Sequence, residues 1–240
     1  MDEKTKFYDE YYDRQIKPNK VCAFYHNNLF RIISKRIPDF SKLSILEIGA
    51  GFGYLARICK EKKIAYQGIE GNPSQSKHLR KCGYDVICGF IPPFPETKPC
   101  DVIYLSFVLE HADGWQNARK LMAGINAKLE IGKYVVIVCP DVRDYKMYFW
   151  DCDWSHGYPT SLKRVKQLLT ETGFKVIFAN HFTGGFINPF MIFFLTVIFK
   201  LIPIHIVDYF SEKFVKTPLA YRFMTSFGWR QILLIGMKTK

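Results

Sequence analysis

The sequence predicts an α/β fold in which a mostly parallel sheet carries helices on both faces. Short apolar runs rich in β-branched residues alternate with longer segments of helical periodicity along most of the chain, which is the pattern of consecutive βα units. Glycine, proline and asparagine stand between the two kinds of segment and mark the turns. A chain of 240 residues is long enough for one well-packed domain and one insertion.

The apolar runs that we interpret as strands are Ser44–Ile48, Ala65–Glu70, Tyr84–Cys88, Asp101–Leu105, Tyr134–Cys139, Lys175–Ala179 and Gln231–Met237. The predicted helices between them are Tyr54–Lys62, 72–83, Gln116–Leu129 and a segment that begins at Thr160 or Ser161 and ends at Gly173. Residues 1–40 carry apolar side chains at helical spacing and are predicted to form an N-terminal helical cap. Residues 41–183 and 229–240 then make the core that contains the sheet.

An insertion, residues 184–228, separates the last two predicted strands and contains the very apolar run Phe186–Val207. Lys200 lies well inside this run and Pro203 interrupts it, which disfavours a single spanning helix. The flanking strands belong to one sheet, so the chain must also return to the side that it left. We expect a helix or helical hairpin in one leaflet, with a spanning helix, a buried lid or a dimer surface as alternatives. The basic residues expected at the lipid headgroups are Lys213, Lys216 and Arg222.

The composition restricts the class of protein and of partner. A formal net charge of +12 favours an anionic partner, such as a membrane surface, a phosphorylated substrate or nucleic acid. The seven cysteines contain no CxxC pair, so we expect reduced thiols inside the cell and no metal site. The first residues, MDEKTKFYDEYYDR, lack the apolar core of a signal peptide. We find no RNA-binding module, which disfavours a nucleic-acid substrate.

The stretch ILEIGAGFGYLA joins the first predicted strand to the first helix of the core. Gly49, Gly51 and Gly53 let the backbone pass close to a bulky ligand at the carboxyl end of the strand. Glu47 would repel a pyrophosphate, and the GxGxG spacing differs from the GxGxxG of dinucleotide sites, so an NAD-dependent reductase is disfavoured. Glu70 ends the next strand, where a carboxylate can accept hydrogen bonds from both ribose hydroxyls. A cationic adenosine ligand, S-adenosylmethionine, satisfies all of these features.

Residues 44–178 resemble the class I S-adenosylmethionine-dependent methyltransferases, in the branch that acts on small molecules, glycans and quinones. The segments that carry the resemblance are LEIGAGFG, GIEGNP, CDVIYLSFVLEHADGW, YVVIVCPD and HGYPTSLKRVKQLLTETGF. The resemblance implies a Rossmann-like sheet of seven strands with the last one antiparallel, S-adenosylmethionine as cofactor, and Ser106 at the cofactor site. Where the family often has an acid after the third strand, this chain has CGFIPPFP. Adenine contacts are therefore expected from the backbone and from Phe90 or Ile91.

Two histidines lie in predicted loops at the carboxyl edge of the sheet, where they could remove the proton from an alcohol or phenol acceptor. His156 is the first candidate for the general base or an acceptor contact, with Asp151 and Asp153 to orient it and raise its basicity. Its alternative role is to cap the helix that follows. His111 is the second candidate, and in the family it can also support the loop or the cofactor pocket. Aromatic residues around His156 predict either an acceptor site or the core of a lid: Tyr145, Tyr148, Phe149, Trp150 and Trp154.

These features predict a membrane-associated S-adenosylmethionine-dependent methyltransferase. In the class I fold the sixth and seventh strands meet at the cofactor edge, so the apolar insertion would lie beside the mouth of the active site. We expect O-methylation of a glycan or glycolipid intermediate by a cytoplasmic enzyme held peripherally on the inner face of a membrane. The alternatives are a quinone precursor or another lipid as acceptor, and a protein that binds the cofactor or the membrane without transferring methyl groups. The oligomeric state stays open.

Overall fold

The computed structural model describes residues 20–183, 190, 194, 197, 201, 204–215 and 228–240. Its strands are β1 (Ile45–Ile48), β2 (Tyr66–Glu70), β3 (Val86–Cys88), β4 (Val102–Ser106), β5 (Tyr134–Pro140), β6 (Phe174–Phe182) and β7 (Gln231–Lys238). Its helices are α1 (Lys20–Ser34), α2 (Tyr54–Lys62), α3 (Pro73–Lys81), α4 (Gly114–Lys128), α5 (Val142–Tyr145), α6 (Tyr148–Asp151), α7 (Leu162–Glu171) and α8 (Ile204–Val215). Short 3₁₀ helices cover Phe40–Lys42 and Leu109–His111.

The strands form one seven-stranded sheet in the order β3-β2-β1-β4-β5-β7-β6. The first five strands pair in parallel, and β7 runs antiparallel between β5 and β6. The strand order reverses between β1 and β4, which pair with Ile48 opposite Leu105. In an open sheet of this kind, ligands bind at the carboxyl ends of the strands beside the reversal.

Apolar clusters cover both faces of the sheet because neighbouring residues of each strand point to opposite sides. Leu46 and Ile48 of β1 pack with α4 and α7, whereas Ile45 packs with α1 and α2. Glu47 has the same orientation as Ile45 and is buried. The predicted fold class, a mostly parallel seven-stranded sheet with helices on both faces, is confirmed. The first part of the predicted N-terminal cap, residues 1–19, lies outside the described residues.

The predicted helix boundaries follow from capping residues. The side chain of Asn72 accepts a hydrogen bond from the backbone N–H of Gln75 at 2.8 Å and caps α3, as the Asn-Pro pair predicts. Ser161 caps α7 by accepting from the N–H of Arg164 at 3.4 Å. The last helical residue of α7 comes before Gly173, which has a φ of +87°, so glycine again marks the end of a helix.

The strand β6 and two short helices differ from the sequence-based expectation. β6 continues beyond Ala179 to Phe182, because pairing with β7 holds the polar residues Asn180 and His181 in the strand. The sequence pattern also does not predict α5 and α6, since a helix of one turn is too short to show a periodicity.

The structure describes the predicted insertion, residues 184–228, only in part. The helix α8 lies in it, and several large apolar side chains of α8 are exposed, among them Phe210 and Phe214. Most of the apolar run Phe186–Val207 lies outside the described residues. Lys200, Pro203, Lys216 and Arg222 lie outside them as well. No helix in the described part of the chain has the length and apolar character needed to cross a membrane.

Candidate active site

The turn between β1 and α2 is built from glycines in a conformation that other residues rarely adopt. Gly49, Gly51 and Gly53 have φ angles of +76°, +52° and +72°, in the left-handed region that favours glycine. A Cβ atom at Gly49 would lie 2.6 Å from Cγ2 of Val108, and one at Gly53 would lie 2.6 Å from Cδ2 of Leu79. Both distances are steric clashes. The positive φ angles therefore favour glycine at all three positions of this turn, which lies at the carboxyl edge of the sheet.

Glu70 is the last residue of β2, and its carboxylate is hydrogen-bonded to the glycine turn. Its carboxylate accepts a hydrogen bond from the backbone N–H of Gly51 at 2.7 Å and from that of Asn72 at 2.9 Å. Burial raises the pKa of Glu70, and the backbone donors oppose that increase. The carboxylate oxygens have further lone pairs after these two bonds. They can accept hydrogen bonds from a diol, such as the ribose hydroxyls predicted for this position.

Glu47 is buried on β1, directly before the turn. The hydroxyl of Tyr66 on β2 donates to its carboxylate at 2.5 Å. Burial raises the pKa of Glu47 to about 8; the Tyr66 hydrogen bond lowers this pKa, and the negative charge of Glu70 raises it further. A cation bound nearby would stabilise the ionised carboxylate. The two buried acids thus fit a positively charged ligand better than a phosphate.

Two further predicted contacts lie at the ends of β3 and β4. Phe90 follows β3 and packs over Gly71, where a Cβ atom would lie 2.5 Å from Cε1 of the ring. The Phe90 ring is partly exposed and can stack on a flat ligand. Ser106 ends β4 beside the reversal of strand order. The glycine turn, the two acids and these side chains share one edge of the sheet and fit an adenosine cofactor that carries a positive charge.

The chain leaves β4 through a residue whose conformation the sequence does not reveal. Phe107 has a φ of +56°, which is rare for an aromatic residue and marks a sharp local turn. Its N–H donates to the carbonyl oxygen of Val138 on β5 at 2.9 Å. The 3₁₀ helix Leu109–His111 follows at once. This turn brings Glu110 and His111 to the carboxyl edge of the sheet.

His111 and His156 come from different loops and meet with their ring centroids 4.8 Å apart. Nδ1 of His111 lies 2.8 Å from Oγ of Ser155, and this hydroxyl donates to Oδ1 of Asp153 at 2.6 Å. Nδ1 of His156 forms a hydrogen bond with the carbonyl oxygen of Phe149. Burial lowers the pKa of His111 to about 4 and also lowers the pKa of His156. Both rings are therefore neutral near pH 7.

Glu110 completes a cluster with the two histidines. Its side chain is fully buried, and neither carboxylate oxygen makes a hydrogen bond of normal geometry within the described part of the chain. Burial raises the pKa of Glu110 to about 8, and the negative charge of Asp153 adds to this. Glu110 lies in the motif VLEH, and the sequence pattern does not mark it as a site residue. The sequence of one loop does not show that a histidine from a second loop packs against it.

Comparisons with known proteins identify the family and the fold. A family model described as a methyltransferase domain matches residues 12–178, which is more than half of the chain. The chain belongs to this family and is a class I S-adenosylmethionine-dependent methyltransferase. No curated protein sequence matches it.

Solved structures share the fold of this methyltransferase at low sequence identity. One is a SAM-dependent methyltransferase from Archaeoglobus fulgidus, with a TM-score of 0.58, 20% identity, and 88% of this chain and 93% of that chain covered. Another, from Thermotoga maritima, is described as a possible histamine N-methyltransferase, with a TM-score of 0.60, 15% identity and 98% of each chain covered. A third is phosphoethanolamine N-methyltransferase 2 from Haemonchus contortus bound to S-adenosylhomocysteine, with a TM-score of 0.59, 15% identity, and 90% and 53% covered.

The two histidines of this methyltransferase are oriented differently from the sequence-based expectation. Asp153 acts on His111 through a serine hydroxyl, and Asp151 is exposed. The ring of His156 is oriented instead by a backbone carbonyl. The alternative role of His156, capping the following helix, is filled by Ser161. Sequence reasoning missed the carbonyl because any residue can supply one.

The aromatic residues around His156 in this methyltransferase divide into a packed group and an exposed group. Phe149 is fully buried, with its ring centroid 4.7 Å from that of His156. Tyr145 and Tyr148 pack against Trp229 at ring-centroid distances of 4.7 and 5.1 Å. Trp229 follows the insertion and precedes Arg230 and β7, so these contacts join the start of this last core segment to the histidine loop. The exposed side chains are Trp150 and Trp154.

Proposed function

We propose that this methyltransferase O-methylates a glycan or glycolipid intermediate at a membrane surface. The observation that carries the proposal is the position of the partly apolar insertion beside the active-site edge. The insertion leaves the sheet after β6 and returns at β7, where Gln231 pairs with Phe182 and with Pro140 of β5. These pairs lie at the carboxyl edge of β5, which is also the edge of the glycine turn and the histidines. An acceptor drawn from a membrane would reach the site directly.

Exposed apolar side chains in the described part of the insertion support a membrane contact. Ile206, Phe210 and Phe214 of α8 are exposed and follow one another at four-residue spacing, so they share one face of the helix. Lys213 is also exposed and can contact anionic headgroups. These features support an enzyme held peripherally on the cytoplasmic, inner face of a membrane. Further exposed apolar side chains of the insertion are Phe190, Phe194, Val197 and Leu201.

When bound, the cofactor would supply a methyl group on a sulfonium: attack by the acceptor oxygen on the methyl carbon would break the S–CH3 bond and release the neutral thioether S-adenosylhomocysteine. We assign the ribose hydroxyls to Glu70, the positive charge of the cofactor to Glu47, and the adenine to Phe90 and the backbone near Ile91. The glycine turn allows the close approach of the backbone that such a ligand needs, and Ser106 borders the site from β4. Every one of these groups lies at the carboxyl edge of the sheet.

His156 is the residue that we assign to deprotonation of the acceptor. Because its Nδ1 donates to a backbone carbonyl, the neutral ring keeps its lone pair on Nε2, which can take a proton. His111 is the second candidate, since its ring lies next to that of His156. A quinone precursor or another lipid is the second acceptor class, because the same exposed apolar surface would deliver it.

The test is a transfer assay with radiolabelled S-adenosylmethionine and separated fractions of a membrane extract. The purified enzyme is incubated with membrane lipids, soluble glycans, protein and nucleic acid in parallel reactions. Label should enter the lipid fraction and remain with the sugar part after mild acid releases the glycan. Label in the neutral lipids instead would favour the quinone class. Transfer to protein or nucleic acid alone would contradict the proposal.

A further inference from the structure

The cluster of Glu110, His111 and His156 has the composition of a metal site. One potential ligand atom from each side chain lies within 4.8 Å of the other two. Two imidazoles and one carboxylate form a donor set that Zn²⁺ and related divalent transition metals bind in proteins. Bonds of about 2.1 Å in tetrahedral geometry place ligand atoms about 3.4 Å apart. Binding an ion would shorten the separations between these ligand atoms from at most 4.8 Å to about 3.4 Å.

The hydrogen bonds of both histidines select the tautomer that binds a metal. The carbonyl oxygen beside His156 can only accept, so Nδ1 of His156 is the donor. The Ser155 hydroxyl donates its hydrogen bond to the carboxylate of Asp153, so its oxygen is left to accept a hydrogen bond from Nδ1 of His111. Both rings then carry the lone pair on Nε2. Metal-binding histidines typically donate their other ring N–H to a carbonyl or a carboxylate-linked group in this way.

Glu110 supplies the negative charge that the two neutral rings lack. Its carboxylate is fully buried, and within the described residues neither oxygen makes a hydrogen bond of normal geometry. The charged group that acts on it, Asp153, is also negative. An ionised carboxylate in such surroundings is costly in free energy unless a positive charge compensates it. A bound cation supplies that compensation.

We propose that Glu110, His111 and His156 bind one divalent transition-metal ion of the Zn²⁺ class. Three protein ligands leave a coordination position for water or an acceptor oxygen, as in catalytic zinc sites. An acceptor hydroxyl bound there loses its proton to solvent at a lower pH than a free hydroxyl. In the metal-bound enzyme His156 is a ligand, and the ion takes over the activation of the acceptor. This catalytic role rests on the proposed function, whereas binding of the ion does not.

The test is a titration of the full-length protein with Co²⁺, whose visible absorption responds to its ligands. Wild-type protein stripped by a chelator, which is then removed, should bind one equivalent of Co²⁺, and Zn²⁺ should displace it. Glu110→Gln keeps the size of the side chain and removes the charged ligand. It should weaken Co²⁺ binding by more than about 100-fold, beyond the usual effect of losing a group that only supports a ligand. His156→Gln should have the same effect.

A second pair of ligand types provides the matched control. Sγ of Cys82 lies 3.7 Å from Nε2 of His78 on the exposed surface of α3 and its end. His78→Ala should leave the Co²⁺ absorption unchanged, and loss of the signal in this variant would overturn the assignment. The proposal is also overturned if wild-type protein takes up no Co²⁺ or if Glu110→Gln binds it normally. Titration of the same samples with S-adenosylhomocysteine tests the cofactor site separately, so the two proposals can fail independently.

Discussion

Glu47 is a carboxylic acid that the cofactor-free fold keeps largely protonated near pH 7. Burial raises its pKa from an ordinary value of 4.5 to about 8. Because the folded state holds the proton more tightly, the contribution of Glu47 to stability becomes less favourable as the pH rises through this interval. Glu47→Gln should therefore stabilise the cofactor-free protein, by on the order of 3 kcal/mol at pH 7 and by much less at pH 5. Thermal unfolding between pH 5 and pH 8 measures the difference.

The control for this substitution is Glu61→Gln on α2. The Glu61 side chain is exposed and lies 3.7 Å from Nε of Arg57, so its removal should leave the pH dependence of stability as in wild type. Glu47→Gln should also weaken the binding of S-adenosylhomocysteine, because the amide cannot become a negative partner for the ligand ammonium. A stability difference between wild type and Glu47→Gln that does not change with pH would refute the protonated state.

The histidine cluster predicts a separation between turnover and cofactor affinity. His156→Ala should lower turnover by about 10²–10⁴-fold, while S-adenosylhomocysteine binds with nearly normal affinity. Ser155→Ala removes the link between His111 and Asp153 and leaves His156 in place, so its effect on turnover should be smaller. Steady-state kinetics and calorimetry measure both quantities. The assignment of His156 as the first candidate for the general base is wrong if Ser155→Ala lowers turnover more than His156→Ala does.

Sequence reasoning predicts candidate site residues when one motif contains the reason for their presence. Glu47, Glu70 and the glycines belong to this class, since a strand end and a turn already define their positions. Glu110 does not. Its burial and its neighbours arise only when the 3₁₀ helix that follows β4 packs against the segment between β5 and α7 that carries His156. The carbonyl that orients His156 is equally invisible in the sequence, because it belongs to the backbone.

At the scale of elements, the glycine turn predicts that Gly51→Val removes cofactor binding. Valine at a φ of +52° is strained, so the variant should also lose stability, by about 1–3 kcal/mol. Gly132→Val is the matched control: Gly132 has a φ of +84°, and a Cβ atom there would meet nothing within 4 Å. It lies before β5, at the opposite edge of the sheet.

Both variants should therefore melt at lower temperature, and only Gly51→Val should fail to bind S-adenosylhomocysteine in calorimetry. The comparison separates backbone strain from contact with the ligand, because strain is common to the two positions. Normal affinity in Gly51→Val would mean that the glycine turn does not form the cofactor site.

The long elements are predictable from the sequence because each repeats its hydrophobic pattern over several residues. The helices α2 and α3 and the parallel strands begin and end close to the expected residues, since glycine and asparagine mark their ends. The end of β6 is determined by a different interaction, the pairing of its backbone with β7. Its polar residues Asn180 and His181 stay in the strand through backbone pairing with β7, and hydrophobic pattern carries no information about such pairing.

At the scale of the whole molecule, the insertion should hold the enzyme on membranes and serve its active site. The chain carries a net charge of +12, and the exposed apolar residues of α8 lie in the segment that joins β6 to β7. Attraction between basic residues and anionic lipid is screened by salt, whereas burial of apolar side chains is not. The enzyme should therefore sediment with anionic liposomes, be released only in part by high salt, and be released fully by detergent.

Replacement of Phe194, Phe210 and Phe214 by serine should abolish this sedimentation. Each buried phenylalanine contributes roughly 1.5–3 kcal/mol, so the three together should dominate an association at the interface. Ile131→Ser is the control, because Ile131 is 72% exposed but lies at the opposite edge of the sheet, before β5. The triple variant should keep its affinity for S-adenosylhomocysteine and lose more activity on a membrane-borne acceptor than on a soluble analogue. If the wild-type protein does not sediment with liposomes, the exposed face of α8 makes a contact other than with a membrane, and the proposal of a lipid-linked acceptor loses its support.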